Sequence, residues 1–172
     1  NSSSTELPND SGRQAPVDSD QEDHDTYTWM EEVRKGQDFA KRGDHDTAIA
    51  CFTEAIRLEP TNASAYESRC GAYAMQREVT KAIADYSEAI RLDSSDASVY
   101  ASRGLTYVKQ GQFDKAIADC TEAIRLEPAY ALAYAHRGRA YGQQGDFDKA
   151  IADCSQAIRL EPTYGDAYAR RG

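Results

Sequence analysis

Cysteine, histidine, proline and tryptophan are all scarce in this 172-residue chain, at four, three, five and one. Cys51, Cys70, Cys120 and Cys154 form no CxxC pair, which argues against a structural zinc site. His24, His45 and His136 stand apart from one another, and no HExxH stretch, phosphate loop or dinucleotide fingerprint occurs. The run Asp18-Ser19-Asp20-Gln21-Glu22-Asp23 lacks the central Gly and the twelfth-place Glu of a calcium loop. No catalytic residue, cofactor or metal is therefore expected. Basic charge is short too: 20 Lys and Arg against 29 Asp and Glu give a net charge of -9, without the basic face that nucleic acid needs. No long apolar run predicts direct membrane insertion, and no signal-peptide pattern is present.

What acidity there is sits at one end. Residues 1–28 carry seven acids and one base, Arg13, whereas residues 29–172 carry 22 acids and 19 bases. Residues 1–24 are rich in Ser, Asp, Gln and Pro, with Leu7 and Val17 as their only large aliphatics. Such a segment buries too little apolar surface to offset its ordering entropy, so residues 1–28 are expected to be a disordered acidic tail or linker. Thr28 and Glu31 have the spacing of a capping box, which predicts a helix start at Thr28.

From Trp29 onward the chain repeats with one constant period. Ala48-Ile49-Ala50 recurs as Ala82-Ile83-Ala84, Ala116-Ile117-Ala118 and Ala150-Ile151-Ala152, and residues 97–130 match 131–164 at 23 of 34 places. The units are 29–62, 63–96, 97–130 and 131–164, with a partial fifth over 165–172. A period of this length means stacked supersecondary units rather than one globular core. Each unit holds two helical patterns. In the third, Tyr100, Gly104, Tyr107 and Val108 fall at helical spacing until Gly111, a fitting left-handed stop. Phe113, Ala116, Ile117, Cys120, Ala123, Ile124 and Leu126 then continue the period, and Pro128 closes the unit.

This layout resembles the tetratricopeptide repeat (TPR) family. The aromatic–small–Tyr motif stands as Tyr100-Gly104-Tyr107 and Tyr134-Gly138-Tyr141. The later Gly, Ala, small and Pro places hold Gly111, Ala116, Ala123 and Pro128, then Gly145, Ala150, Ala157 and Pro162. Covering residues 29–172, the resemblance implies an all-α fold, a right-handed α-solenoid of antiparallel helix pairs. It also implies a non-enzymatic scaffold that binds a protein or peptide in a concave groove lined by the first helix of each unit. The second unit departs from the pattern at Cys70, Arg77 and Ser94. A non-Gly residue held left-handed costs roughly 1 kcal/mol, which makes this unit the softest. The first unit has Glu32 in the leading aromatic place, with Trp29 positioned to cover the exposed end.

By the same resemblance, the groove-facing places of the first two first-type helices are Met30, Val33, Arg34, Gln37 and Lys41, then Ser64, Glu67, Ser68, Gly71 and Met75. The next two contribute Ser98, Ala101, Ser102, Leu105 and Lys109, then Leu132, Ala135, His136, Arg139 and Gln143. Small and aliphatic residues with scattered cations suit an extended or helical peptide with apolar anchors and some acidic character. The family's clamp for a terminal carboxylate uses Lys and Asn, and no Asn stands at these places. The acidic tail is a second candidate occupant. Two other functions fit the sequence: an architectural module that self-associates through its ends, and a targeting or regulatory arm of an enzyme whose catalytic domain lies outside residues 1–172.

Arg69 and Asp85, Arg103 and Asp119, and Arg137 and Asp153 recur in step with the repeat, each Asp following its Arg at the same spacing. They are expected either to pair across the two helices of a unit or to leave the Asp to Lys81, Lys115 or Lys149 on its own helix. Exposed pairs of this kind contribute roughly 0–1 kcal/mol each. The cysteines are expected to be buried free thiols, which favours a reducing, cytoplasmic setting. Cys51 and Cys70, on neighbouring helices, are the one pair that disulfide geometry leaves open, and the Ser-rich start is also compatible with export.

Overall fold

The computed structural model describes the backbone of residues 19–163 and the side chains of residues 28–163. These residues form eight helices and no strand: α1 (Ser19–Lys41), α2 (His45–Leu58), α3 (Ala63–Met75), α4 (Val79–Leu92), α5 (Ala97–Lys109), α6 (Phe113–Leu126), α7 (Ala131–Gln144) and α8 (Phe147–Leu160). The partial fifth unit and the tail before Ser19 lie outside the described residues.

Within a unit, a residue of positive φ separates the two helices. Gly111 and Gly145 turn the chain after α5 and α7 with φ of 74° and 86°, a conformation open to glycine without a Cβ penalty. At the same place after α3, Arg77 is held at φ 63°. Asp44, Asn62, Asp96 and Asp146 cap α2, α3, α5 and α8, each side chain accepting from a first-turn N–H. Glu78 and Gln112, before α4 and α6, make no such bond.

One helix boundary differs from the sequence expectation. The backbone is helical from Ser19, so α1 begins before Thr28, which lies inside it. A helix nucleated by packed residues propagates outward at little cost per residue, even through a polar stretch with no apolar period.

α1, α3, α5 and α7 are the first helices of their units, and α2, α4, α6 and α8 the second. Each second helix packs on its own first helix and, up to α6, on the first helix of the following unit. Neighbouring first helices also touch: α5 and α7 closely, α1 and α3 less, α3 and α5 barely. Neighbouring second helices stand apart among the described residues. The first helices therefore line the inside of the curve, as in an α-solenoid.

The core is a row of small clusters, spread along the junctions rather than gathered at a single centre. Ala48, Ala82 and Ala116 are fully buried where helices cross. Both ends of the row are distinct. At α1, Trp29 packs beside Val33 and Phe52 on the first cluster. At α8, Phe147, Ile151 and Ile158 are 67%, 65% and 44% exposed. Their counterparts on α6, Phe113, Ile117 and Ile124, pack beneath α7 residues Ala133 and Ala140.

Candidate functional site

The recurring arginines tie three helices together. Arg69 Nε and Nη2 donate to both carboxylate oxygens of Asp85 at 2.8 Å. Arg103 does the same to Asp119 at 2.7 and 2.9 Å, and Arg137 to Asp153 at 2.7 and 2.8 Å. The remaining Nη1 of each donates backwards, to the hydroxyls of Thr53, Ser87 and Thr121 on the preceding second helix, at 3.0, 3.0 and 3.1 Å. Arg69 also lies between the rings of Tyr66 and Tyr73, and Arg103 between Tyr100 and Tyr107. Lys81, Lys115 and Lys149 take another partner, lying over Tyr73, Tyr107 and Tyr141 at 5.4, 5.4 and 5.1 Å.

These pairs are not surface decorations. In the Arg103–Asp119 pair the side chains are only 16% and 11% exposed, and the low figure for exposed pairs does not apply. Removing one partner of such a pair strands a buried charge. The hydroxyls at Thr53, Ser87 and Thr121 were overlooked in the sequence, although they recur in step with the repeat and stand at one constant spacing before each arginine.

On the concave side, a cleft of about 590 Å³ opens between α1, α2 and α3. Gln37, Lys41, Glu67, Ser68, Gly71 and Met75, all sequence-predicted groove places, line it together with Ala40, His45, Phe52 and Ala72. The last four were not foreseen, and Phe52 and His45 belong to a second helix and reach through from behind. Phe52 is 1% exposed and forms the floor. His45 Nδ1 is buried without a hydrogen-bond partner. Met75 stands at the rim, 69% exposed. The Glu67 carboxyl is raised above the usual range by burial first, then by the charges of Asp96 and Asp93.

Further groove places lie on α5 and α7. Lys109 and Arg139 are exposed and Leu105 and Leu132 half-buried. His136 between them is pushed down to about 4 by burial and by the positive charges of Arg139 and Lys109, so it is neutral at pH 7. Met30 is exposed at the outer end. Val33 and Ala101 present no surface: both are buried in helix contacts, Val33 against the first cluster and Ala101 against the third.

All four cysteines are free, so Cys51 and Cys70 form no disulfide. Cys70 and Cys120 are buried, with thiols pushed up to about 12 by burial. Cys51 is only partly buried and Cys154 is exposed, which corrects the expectation that all four would be buried. Among the described residues no three His, Cys, Asp or Glu side chains converge to hold a metal ion, and no helix is long and apolar enough to cross a membrane.

Sequence comparison matches residues 33–97 and 131–164 to the tetratricopeptide repeat and residues 104–145 to the TPR repeat. Among solved structures, MamA is similar at 27% identity and a TM-score of 0.75, over 86% of each chain. The Arabidopsis OM64 TPR domain is 29% identical with a TM-score of 0.57, over 58% of this chain and 83% of that one. The first TPR of Spaghetti (RPAP3), bound to the HSP90 peptide SRMEEVD, shares the fold at 24% identity and a TM-score of 0.67, over 69% of this chain and 94% of that one.

Proposed function

Because the chain belongs to the tetratricopeptide repeat family, we propose that it is a non-enzymatic protein-interaction scaffold whose concave face holds a peptide segment of a partner protein. The cleft over Phe52 carries this reading. Its volume, about 590 Å³, lies in the range of ligand-binding clefts, its floor is aromatic, and its buried His45 nitrogen is unpartnered. The segment that fits is extended or helical, places a large apolar side chain over Phe52, and donates a hydrogen bond to His45. Its acidic groups run toward Lys41, Lys109 and Arg139.

Gly71 supplies the test. A Cβ built there meets nothing within 4 Å, so the side chain of Gly71→Leu starts in open space at the cleft and favours the helix. Peptides captured from a random library by the natural chain should bind this variant at least about tenfold more weakly, a loss of about 1.4 kcal/mol, with helicity and melting temperature preserved. Equal binding by both proteins moves the site off the cleft. Absence of capture by the natural chain removes the reading.

A second reading has copies of the chain joining through α8. It rests on the apolar stripe of Phe147, Ile151 and Ile158, which is exposed where the equivalent stripe of α6 is covered.

A further inference from the structure

The three junctions between first helices differ in closeness, and one place in the repeat differs with them. That place holds Phe52 in the first unit, Tyr86 in the second and Cys120 in the third, each buried, at 1%, 8% and 0% exposure. In the first and third units the side chain meets a glycine on the first helix of its own unit. A Cβ added to Gly36 would fall 2.5 Å from the Phe52 ring, and one added to Gly104 would fall 2.7 Å from Cys120 Sγ. In the first two units its other side meets the first helix of the following unit. Phe52 clusters with Ala65 and Ala72 of α3, and Tyr86 with Val99 of α5, its hydroxyl facing both Cys70 and Ser102. The residue thus sits between two first helices like a spacer. Where it is Cys120, α5 and α7 pack closely through Ala97, Ala101 and Ala133. Where it is Phe52, α1 and α3 part and the cleft opens above its ring. With Tyr86, α3 and α5 barely touch.

We propose that this single side chain in each second helix sets the spacing of the first helices around it, and through that spacing selects which part of the groove admits a large side chain. The inference rests on the groove reading for its second half only, since the spacing exists whether or not a peptide binds. A competing gauge is the first-helix place filled by Val33, Glu67, Ala101 and Ala135, where Glu67 is the bulkiest and also stands at the widest junction.

Crystal structures of the full chain bearing Tyr86→Cys, Tyr86→Phe and Cys120→Phe separate the two. Packed helices lie about 8–10 Å apart, so a change of roughly 1–2 Å is readable. Tyr86→Cys should draw α5 toward α3, Tyr86→Phe should draw it by less, toward the spacing found around Phe52, because it keeps the ring and loses only the hydroxyl, and Cys120→Phe should part α7 from α5. Gly104 gives the new ring the room that Gly36 gives Phe52. The same three proteins are then put through the random-peptide capture. Tyr86→Cys and Cys120→Phe should each enrich a different set of peptides from the natural chain, while Tyr86→Phe should depart from the natural set less than Tyr86→Cys does. Unchanged spacing in Tyr86→Cys overturns the proposal and hands the role to Glu67. Altered spacing with unchanged peptides overturns the selective half, and if Gly71→Leu still loses capture, groove binding itself stands. Cys120→Phe is the variant most exposed to misfolding, and Tyr86→Cys, which removes a ring and its hydroxyl and adds no bulk, keeps the question answerable.

Discussion

Arg103 holds four side chains at once: the carboxylate of Asp119, the hydroxyl of Ser87 one unit back, and the rings of Tyr100 and Tyr107. Truncating a partner of a buried pair costs about 3–5 kcal/mol, because the charge left behind has lost both water and its counter-ion. Arg103→Ala and Asp119→Ala should therefore each lower unfolding stability by about 3 kcal/mol. The double variant should fall well short of the sum. Urea titration of the four proteins measures the coupling, and zero coupling would show that the two side chains act independently. The constant spacing of Arg and Asp from unit to unit offered the pairing as one of two arrangements, the other leaving each Asp to a Lys on its own helix. The pair's burial was not readable, since nothing in a linear pattern says that two tyrosines and a neighbouring unit close over the guanidinium.

At the scale of elements, α3 and α4 form the pair whose turn is strained. Arg77 occupies the left-handed place that Gly111 and Gly145 fill elsewhere, and α4 begins without a side-chain cap. A second irregularity adjoins it. Gln76 donates to Asp46 and Gln144 to Asp114, each tying a turn to the second helix before it, at 2.7 and 2.6 Å. The same tie is missing between the second and third units, where Thr80 stands in the acid's place and Gln110 accepts from Gln112 instead. Arg77→Gly should raise stability by roughly 1 kcal/mol, the cost of a side chain at positive φ. The measurement is the urea midpoint at unchanged slope; a lowered midpoint would show that Arg77 makes contacts worth more than the strain. Arg77 was legible as a departure from the repeat, and so were the helices themselves. The early start of α1 was not, because Ser19 to Thr28 carry no apolar period and owe their helix to the packed turns that follow.

Viewed whole, the row of described helices has unlike ends. At the places where α7 presents Ala133, Tyr134, Arg137 and Ala140 to α6, α1 carries Glu31, Glu32, Lys35 and Asp38, and Lys35 is paired with both glutamates. α8 ends the described row with its apolar stripe uncovered. If copies join through α8, light scattering over a concentration series should show mass rising with concentration for the natural chain. It should stay at the monomer value for Ile151→Lys, which puts a charge in the middle of the stripe. Mass independent of concentration in both would remove that reading. The repeat pattern made the stack and its inner face legible. The cleft stayed hidden because its floor comes from residues the pattern assigns to the other helix of the unit.

The unlike ends also decide how far any assembly through α8 can grow. Head-to-tail addition would press Phe147 and Ile151 of one copy onto Glu31 and Lys35 of the next, stripping water from an ion pair whose mutual attraction only partly offsets that loss. Like-to-like joining meets no such penalty, and it is self-complementary, so it closes when the second copy arrives. Were copies to join through α8, the charged turns of α1 would thus disfavour filaments: growth through the stripe would have one place to start and would terminate at two.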